Sequence, residues 1–199
     1  GRAFNTDNIG LEESGINKGK RGEILVNERM ETNIPGIYAI GDVIGGMMLA
    51  HVASTEGLIA VENALGGNRG MDYRVVPSGI FTSPEIGSVG LREKDAIQKG
   101  YDIKIGRFPF RALGKAHASG EISGIVKIVT DAKDDKVLGV HIIGPHATDL
   151  VHEAALAMKM GGTAKDIAHT IHAHPTFSEA IMEASEDVHG IAIHIPKKS

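Results

Sequence analysis

Two apolar runs in the second half of the chain constrain its fold more than any other feature. Residues 124–130 and 137–143 are rich in Val and Ile, which favour strands. Between them lies the turn-rich segment 131–136, Asp-Ala-Lys-Asp-Asp-Lys. This arrangement predicts a β-hairpin of two long antiparallel strands.

Shorter strand patterns precede the hairpin and helical patterns follow it. Strands are predicted at 80–82, 88–90 and 103–110, with a charged helix at 92–99, and further helices at about 150–158, after Thr163, and at about 176–188. Strands first and helices after them are typical of an α+β domain. We therefore predict an antiparallel sheet with helices on one face.

The first third of the chain has a different pattern. Residues 1–22 are polar and weakly periodic, and we interpret them as connecting chain. Strands are predicted at 24–26 and 37–40, and after a Gly-rich loop a helix is predicted at about 49–65. The Gly-containing segment 66–72 is the best linker candidate. A partial α/β segment is thus expected before the α+β domain.

Composition excludes several classes of function. The net charge of -4, with three Tyr, five Phe and no Trp, argues against nucleic acid or an anionic membrane as a partner. The absence of Cys excludes disulfides, thiolate metal sites and a Cys nucleophile on this chain. No apolar run approaches the ~20 residues of a membrane span. The opening Gly-Arg is neither an initiation site nor a signal peptide, which predicts a piece of a longer protein.

Residues 172–179, His-Ala-His-Pro-Thr-Phe-Ser-Glu, are the strongest candidate for chemistry. A carboxylate bonded to one nitrogen of His174 would fix its tautomer and leave the other nitrogen as a general base. Glu179 has the required spacing. However, Thr176 and Glu179 also fit a capping box, in which both side chains bond helix amides. The residues alone leave both interpretations open.

A second candidate lies at Gly41-Asp42, where a strand pattern ends before the Gly-rich loop and the helix. Ligands of α/β sheets bind beyond the carboxyl ends of strands, where a carboxylate can accept hydrogen bonds from sugar hydroxyls. The alternative is that Asp42 caps a loop. Neither G-x-G-x-x-G nor a P-loop pattern occurs in the 199 residues. If a dinucleotide binds, its main phosphate loop is therefore on chain outside this sequence.

The ten His residues do not predict a metal site. His152-Glu153 begins like H-E-x-x-H, but Leu156 stands where the second ligand is needed. His172 and His174 could chelate an ion together, yet no third ligand lies at a useful spacing. The remaining candidates are interpreted as surface or core histidines: His117, His141, His146, His189 and His194.

Three segments together resemble the flavin-dependent pyridine nucleotide-disulfide oxidoreductases. They are residues 32–42 (Thr-Asn-Ile-Pro-Gly-Ile-Tyr-Ala-Ile-Gly-Asp), 48–51 (Met-Leu-Ala-His) and 172–179, in that order. Residues 77–85 and 139–144 are similar to the dimerisation domain of that family. Glutathione and mercuric reductases share His-Pro-Thr with a later Glu. The leading His-Ala and the Met-Leu-Ala-His segment are more similar to the members that oxidise dihydrolipoamide.

The resemblance implies a division of the chain into three parts. Residues 1–16 correspond to the end of an NAD domain, 17–72 to a returning segment of an FAD domain, and 73–199 to the interface domain. The family's flavin loop, redox-active Cys pair and most of the NAD domain are absent from this sequence. The chain would therefore be a C-terminal fragment, inactive by itself, or a dimerisation module without catalytic function.

The resemblance also implies residue roles. His174 would be the general base, oriented by Glu179, and would serve the disulfide of the other subunit in a homodimer. The His174–Pro175 bond is a candidate cis bond. Asp42 would bind the ribityl or phosphate region of FAD. Four residues would lie along the flavin ring: Met48, Leu49, Ala50 and His51.

The implied reaction passes electrons from dihydrolipoamide through the disulfide and FAD to NAD. The dihydrolipoamide would be carried by the lipoyl-bearing component of 2-oxoacid dehydrogenase complexes. The implied location is the cytoplasm, or the mitochondrial matrix in a eukaryote.

Overall fold

The computed structural model describes residues 2–196 and divides into two compact units, one ending at Tyr73 and the other beginning at Arg74. The first unit contains a 3-10 helix, Gly41–Ile44, and α1, Ala50–Ala64. The second unit contains, in chain order, β1 Ser78–Ile80, β2 Glu85–Gly90, α2 Glu93–Gln98, β3 Ile103–Pro109, a 3-10 turn Phe110–Ala112, α3 Gly114–Ser119, β4 Ile125–Asp131, β5 Val137–Gly144, α4 Ala147–Lys159, α5 Ala164–Ala168 and α6 Glu179–Asp187.

The second unit is built on a five-stranded sheet in the order β1-β2-β5-β4-β3, with every neighbouring pair antiparallel. The predicted hairpin is confirmed as β4 and β5. Successive side chains of these strands alternate between the two faces of the sheet, and one face is buried. Its main buried residues are Val89, Phe108, Val126, Ile128, Val140 and Ile142.

Helices α4 and α6 cover that buried face. Two glycines permit the close approach: a Cβ on Gly87 would lie 2.0 Å from the carbonyl oxygen of Ala147 in α4. A Cβ on Gly106 would lie 1.9 Å from the carbonyl oxygen of Ala184 in α6. The helices therefore rest directly on the sheet backbone at these points. The predicted α+β architecture, with its antiparallel sheet and packed helices, is confirmed.

The short helix α2 lies against the opposite face of the sheet. Its Glu93 receives a short hydrogen bond from Lys127 of β4 and lies 3.5 Å from the Arg107 guanidinium of β3. Lys127 and Arg107 are directly opposed across the two strands. This side of the sheet is thus polar and carries a helix of its own.

The first unit corrects the prediction of strands at 24–26 and 37–40. Within the described residues, these segments form single β-bridges, Lys18 with Ile24 and Glu31 with Tyr38, and no continuous ladder. A strand needs a neighbouring strand for its backbone groups, and these apolar runs have none along their length. The predicted helix is confirmed as α1, which buries Ile59 against Met30.

Several smaller differences occur in the second unit, among them β1, which spans Ser78–Ile80 and not 80–82. Helix α3 was not predicted, because Gly-Lys-Ala-His-Ala-Ser is too short to show helical periodicity. Helix α6 begins at Glu179 and not at Thr176.

None of the helices in the described residues has the length and apolarity that a membrane crossing needs.

Candidate functional site

A buried aromatic side chain anchors the segment that leads into α6. The ring of Phe177 lies 5.8 Å from that of Phe110, edge to face, and 5.4 Å from the His146 ring. The His174–Pro175 bond, earlier in the same segment, is cis. Because Phe177 points into the core, the loop is fixed while the side chain of His174 stays 74% exposed.

The structure brings His174 and Glu179 together. The Nδ1 of His174 lies 2.9 Å from Oε1 of Glu179, whose side chain is 14% exposed. Burial raises the pKa of the Glu179 carboxyl, but hydrogen bonds from the Thr176 N–H and from His174 outweigh it and lower the pKa below its ordinary value. The ionised carboxylate favours the tautomer with its proton on Nδ1. Nε2 is then the atom that can exchange a proton with an incoming group.

The alternative capping box is half formed. The backbone N–H of Thr176 donates to Oε2 of Glu179 at 2.8 Å, as a capping box requires. The Thr176 hydroxyl instead donates to the carbonyl of Ala173 at 2.7 Å. One oxygen of Glu179 therefore accepts a hydrogen bond from the backbone, and the other accepts one from the imidazole.

A second histidine–carboxylate pair lies beside the first and was missed by sequence reasoning. His172 has Nε2 at 2.8 Å from Oε1 of Glu153 in α4, and Nδ1 at 2.8 Å from the carbonyl of Thr170. Both partners are acceptors, so this geometry favours protons on both ring nitrogens, which is the imidazolium form of His172. The hydrogen bond to Glu153 raises the pKa of His172, although burial opposes this. Nineteen residues separate the partners, so spacing gave no signal.

The metal alternative finds no support in the part of the chain that the structure describes. No group of three or more His, Asp or Glu side chains there is placed to hold an ion. His172, one of the two proposed ligands, has both of its nitrogens engaged by Glu153 and Thr170.

The turn at Gly41-Asp42 is held by a buried carboxylate. Glu56 of α1, 2% exposed, accepts the N–H of Gly41 at 2.7 Å and the hydroxyl of Tyr73 at 2.6 Å. Burial, followed by the hydrogen bond to Glu56, raises the pKa of the Tyr73 phenol. Gly41 has φ +72°, a conformation that favours glycine. Glu56 was not identified from sequence, since nothing in its spacing marks it as a buried residue.

The carboxylate of Asp42 lies on the outside of this turn. Its side chain is 54% exposed and forms a short ion pair with Arg2. A Cβ on Gly41 would lie 3.2 Å from that of Ala53, so the turn contacts the first turn of α1. An exposed carboxylate thus lies close to a helix amino terminus.

The remaining predicted cofactor residues surround that amino terminus. Leu49 precedes α1, Ala50 begins it, and His51 follows. Met48 and Leu49 are half-buried, whereas Ala50 and His51 are exposed. Helix amino termini favour anions, and a carboxylate accepts hydrogen bonds from hydroxyls. This arrangement fits a nucleotide cofactor that carries both an anionic phosphate and hydroxyl groups, such as FAD.

Two known families match the chain. Residues 76–185 match "Pyridine nucleotide-disulphide oxidoreductase, dimerisation domain", and residues 1–57 match "Pyridine nucleotide-disulphide oxidoreductase". The first match includes the whole sheet and most of α6, with His174 and Glu179.

Among curated proteins, the chain is 52% identical over 195 residues to dihydrolipoyl dehydrogenase of Bacillus subtilis, covering 98% of this chain and 41% of that protein. It is 50% identical to the enzyme of Thermus scotoductus, covering 98% and 42%. The mitochondrial enzyme of Sus scrofa is 50% identical over 185 residues, covering 93% and 36%. The chain therefore spans about two fifths of the length of these relatives.

Solved structures give the same relationship. LpdA from Mycobacterium tuberculosis superposes with a TM-score of 0.86 at 32% identity, covering 92% of this chain and 40% of that one. The HOCl-induced flavoprotein disulfide reductase RclA from Escherichia coli superposes with a TM-score of 0.84 at 28% identity, covering 91% and 42%. The chain belongs to the pyridine nucleotide-disulphide oxidoreductase family, and its five-stranded α+β unit is the dimerisation domain of that family.

Proposed function

We propose that this chain supplies the general base and one side of the flavin site of a dihydrolipoyl dehydrogenase. The observation that carries the proposal is the 2.9 Å distance between Nδ1 of His174 and Oε1 of Glu179, in a histidine whose ring is exposed. It is supported by the identity of about 50% to dihydrolipoyl dehydrogenases of bacteria and of Sus scrofa. Residues 1–16 would then end an NAD domain, 17–72 would belong to the FAD domain, and 73–199 to the interface domain.

In this proposal, Nε2 of His174 takes the proton from a thiol of dihydrolipoamide. The thiolate sulfur attacks one sulfur of a cysteine disulfide, forms a mixed disulfide and breaks the original S–S bond. The second thiol of the substrate then displaces the enzyme sulfur, so that the substrate leaves oxidised and the cysteine pair reduced. Glu179 holds the ring and stabilises the imidazolium that forms. A base in this position contributes about 10²–10⁴ in rate.

The 199 residues contain no Cys, so the cysteine pair would belong to the part of the relatives' length that this chain does not span. The match of 76–185 to a dimerisation domain supports a homodimer in which His174 faces the partner's disulfide. The substrate would be presented by the lipoyl-bearing component of a 2-oxoacid dehydrogenase complex.

FAD, when bound, would accept the electrons of the reduced cysteine pair and pass them to NAD. Asp42 would accept hydrogen bonds from hydroxyls of its ribityl region. The amino end of α1 would face its ring, with Met48, Leu49, Ala50 and His51 alongside. Glu56 would keep the Gly41-Asp42 turn in place.

A chimera tests the proposal directly. This chain replaces the matching part of the Bacillus subtilis dihydrolipoyl dehydrogenase, to which it is 52% identical. We expect the chimera to reduce NAD with dihydrolipoamide. His174→Gln should lower that rate at least about a hundredfold, within the range of a lost general base, while flavin absorbance stays unchanged.

The matched control is His152→Gln, an exposed histidine of α4, which should leave the rate unchanged. Near-normal turnover by His174→Gln would mean that His174 is not the general base. Glu179 would then serve only to accept the hydrogen bond from the backbone N–H of Thr176. Oxidation of NADH or NADPH with glutathione disulfide or mercuric ion as the electron acceptor would assign a different substrate to the same site.

A dimerisation module without catalytic function is the second candidate, favoured by the absence of Cys from the sequence. It predicts a chimera that assembles as a dimer and binds flavin but is inactive before any substitution is made.

A further inference from the structure

A cavity of about 680 Å³ lies between α2 and the sheet face opposite α4 and α6. It is lined by the apolar side chains of Ile86 and Ile97 and by the polar side chains of Ser88, Arg92, Lys127 and His141. It is separate from the His174 loop, which adjoins α6 on the other side of the sheet.

The strand register places the polar side chains in one row. Ser88 of β2 is directly opposite His141 of β5, and His141 is directly opposite Lys127 of β4. Directly opposed side chains share a face, with Cβ atoms about 4.5–5.5 Å apart. A hydroxyl, an imidazole and an ammonium group therefore follow one another across three strands on the cavity wall.

Two hydrogen bonds fix the imidazole of His141. Its Nε2 lies 3.1 Å from the carbonyl oxygen of Leu91, which can only accept, so Nε2 carries the proton. Its Nδ1 lies 2.7 Å from Oγ of Ser88, so Nδ1 accepts the hydroxyl proton. Burial first, and then the nearby charges of Lys127 and Arg92, lower the pKa of His141. The neutral form of the ring is therefore favoured, and Nδ1 can act as a base.

This is the arrangement of an activated serine: a hydroxyl bonded to an imidazole whose other nitrogen is held by a third group. The backbone carbonyl of Leu91 takes the orienting position. Lys127 and Arg92 supply positive charge on the cavity wall, moderated by their partners Glu93 and Asp95. Cations beside the reacting carbon stabilise a developing oxyanion.

We propose that Ser88 and His141 form a nucleophile–base pair that accepts acyl groups from esters of short apolar acids. The two isoleucines provide an apolar wall for the acyl chain. This activity is independent of the reaction proposed for His174 and needs neither flavin nor a cysteine.

The chemical step balances within the site. Oγ of Ser88 forms a bond to the ester carbonyl carbon while its proton passes to Nδ1 of His141. The C–O bond to the leaving alcohol then breaks, and His141 returns the proton to that alcohol. Water, deprotonated by His141, attacks the acyl-serine, and release of the free acid restores the hydroxyl.

The experiment uses the purified 199-residue chain with p-nitrophenyl acetate. We expect p-nitrophenol release at least tenfold faster than with Ser88→Ala. Mass spectrometry of the acid-quenched protein should place an acetyl group on the peptide that contains Ser88. His141→Gln should abolish both signals, because glutamine cannot take the hydroxyl proton.

The matched control is Ser78→Ala, since Ser78 is directly opposite Ser88 but belongs to edge strand β1. It should release p-nitrophenol at the rate of the unmodified chain. Equal rates from Ser88→Ala and the unmodified chain would overturn the proposal. So would acetylation spread over lysines with none on Ser88, a result read from the unmodified chain alone and thus independent of how the variants fold.

Discussion

At the scale of single residues, the pair His172–Glu153 makes folding stability depend on pH. The pKa of His172 is raised in the fold, so its contribution is complete below the ordinary value of about 6.5 and is lost as pH rises through the raised value. His172→Gln keeps a neutral donor toward Glu153 but removes the charge. We expect it to lower the free energy of unfolding by about 1–3 kcal/mol near pH 6, and by much less near pH 9.

Urea unfolding of both proteins at the two pH values measures this difference. His152→Gln, on the exposed side of the same helix, should show no pH-dependent difference. A loss of equal size at both pH values would mean that the imidazolium adds nothing beyond a hydrogen bond.

The same residues show what sequence can and cannot provide at this scale. The contact between His174 and Glu179 was expected from their spacing, because five residues across the start of a helix bring the two side chains together. The pair His172–Glu153 depends on how α4 packs, and the pair Ser88–His141 depends on sheet register. Each of these joins residues far apart in the chain, so local spacing gave no signal.

At the scale of elements, the contact between α6 and β3 depends on the absence of a side chain at Gly106. A Cβ there would lie 1.9 Å from the carbonyl of Ala184 and 2.8 Å from a methyl of Val188. Gly106→Ala must therefore push the helix away from the sheet. We expect a loss of about 1–3 kcal/mol or more in the free energy of unfolding, the range for overpacked cores.

Thermal or urea unfolding measures that loss, and Gly70→Ala is its control. A Cβ on Gly70 would lie 3.8 Å from Glu28, an ordinary contact. That variant should change stability by no more than about 0.5 kcal/mol, as surface substitutions do. Equal stability of the two variants would show that α6 can shift on the sheet without loss.

Elements were predictable where they had both length and a partner. The predictions for β3, β4 and β5 agree with the structure, and each of these strands of seven or eight residues is paired along its length with a neighbour. The runs at 24–26 and 37–40 have similar composition but lack adjacent strands, and they stay as single bridges. Strand propensity describes how well a side chain packs on a sheet. It therefore predicts a strand only where a neighbouring strand is present.

At the scale of the whole molecule, the proposed reaction is divided between this chain and groups that it lacks. The proposed base His174 and its proposed orienting partner Glu179 belong to the dimerisation domain. The disulfide that accepts electrons from the substrate requires two cysteines, and the 199 residues contain none. A deprotonated thiol of dihydrolipoamide would therefore have no sulfur to attack.

We accordingly expect the purified chain to form no NADH when supplied with dihydrolipoamide, FAD and NAD. The same preparation, examined by sedimentation velocity, should contain dimers, so that missing turnover cannot be attributed to missing assembly. The active chimera, assayed beside it, controls for the substrate and cofactors. NADH formation by the chain alone that depends on dihydrolipoamide, and that disappears in His174→Gln, would mean that proton removal at His174 suffices without a disulfide, and the proposed division of the active site would have to be abandoned.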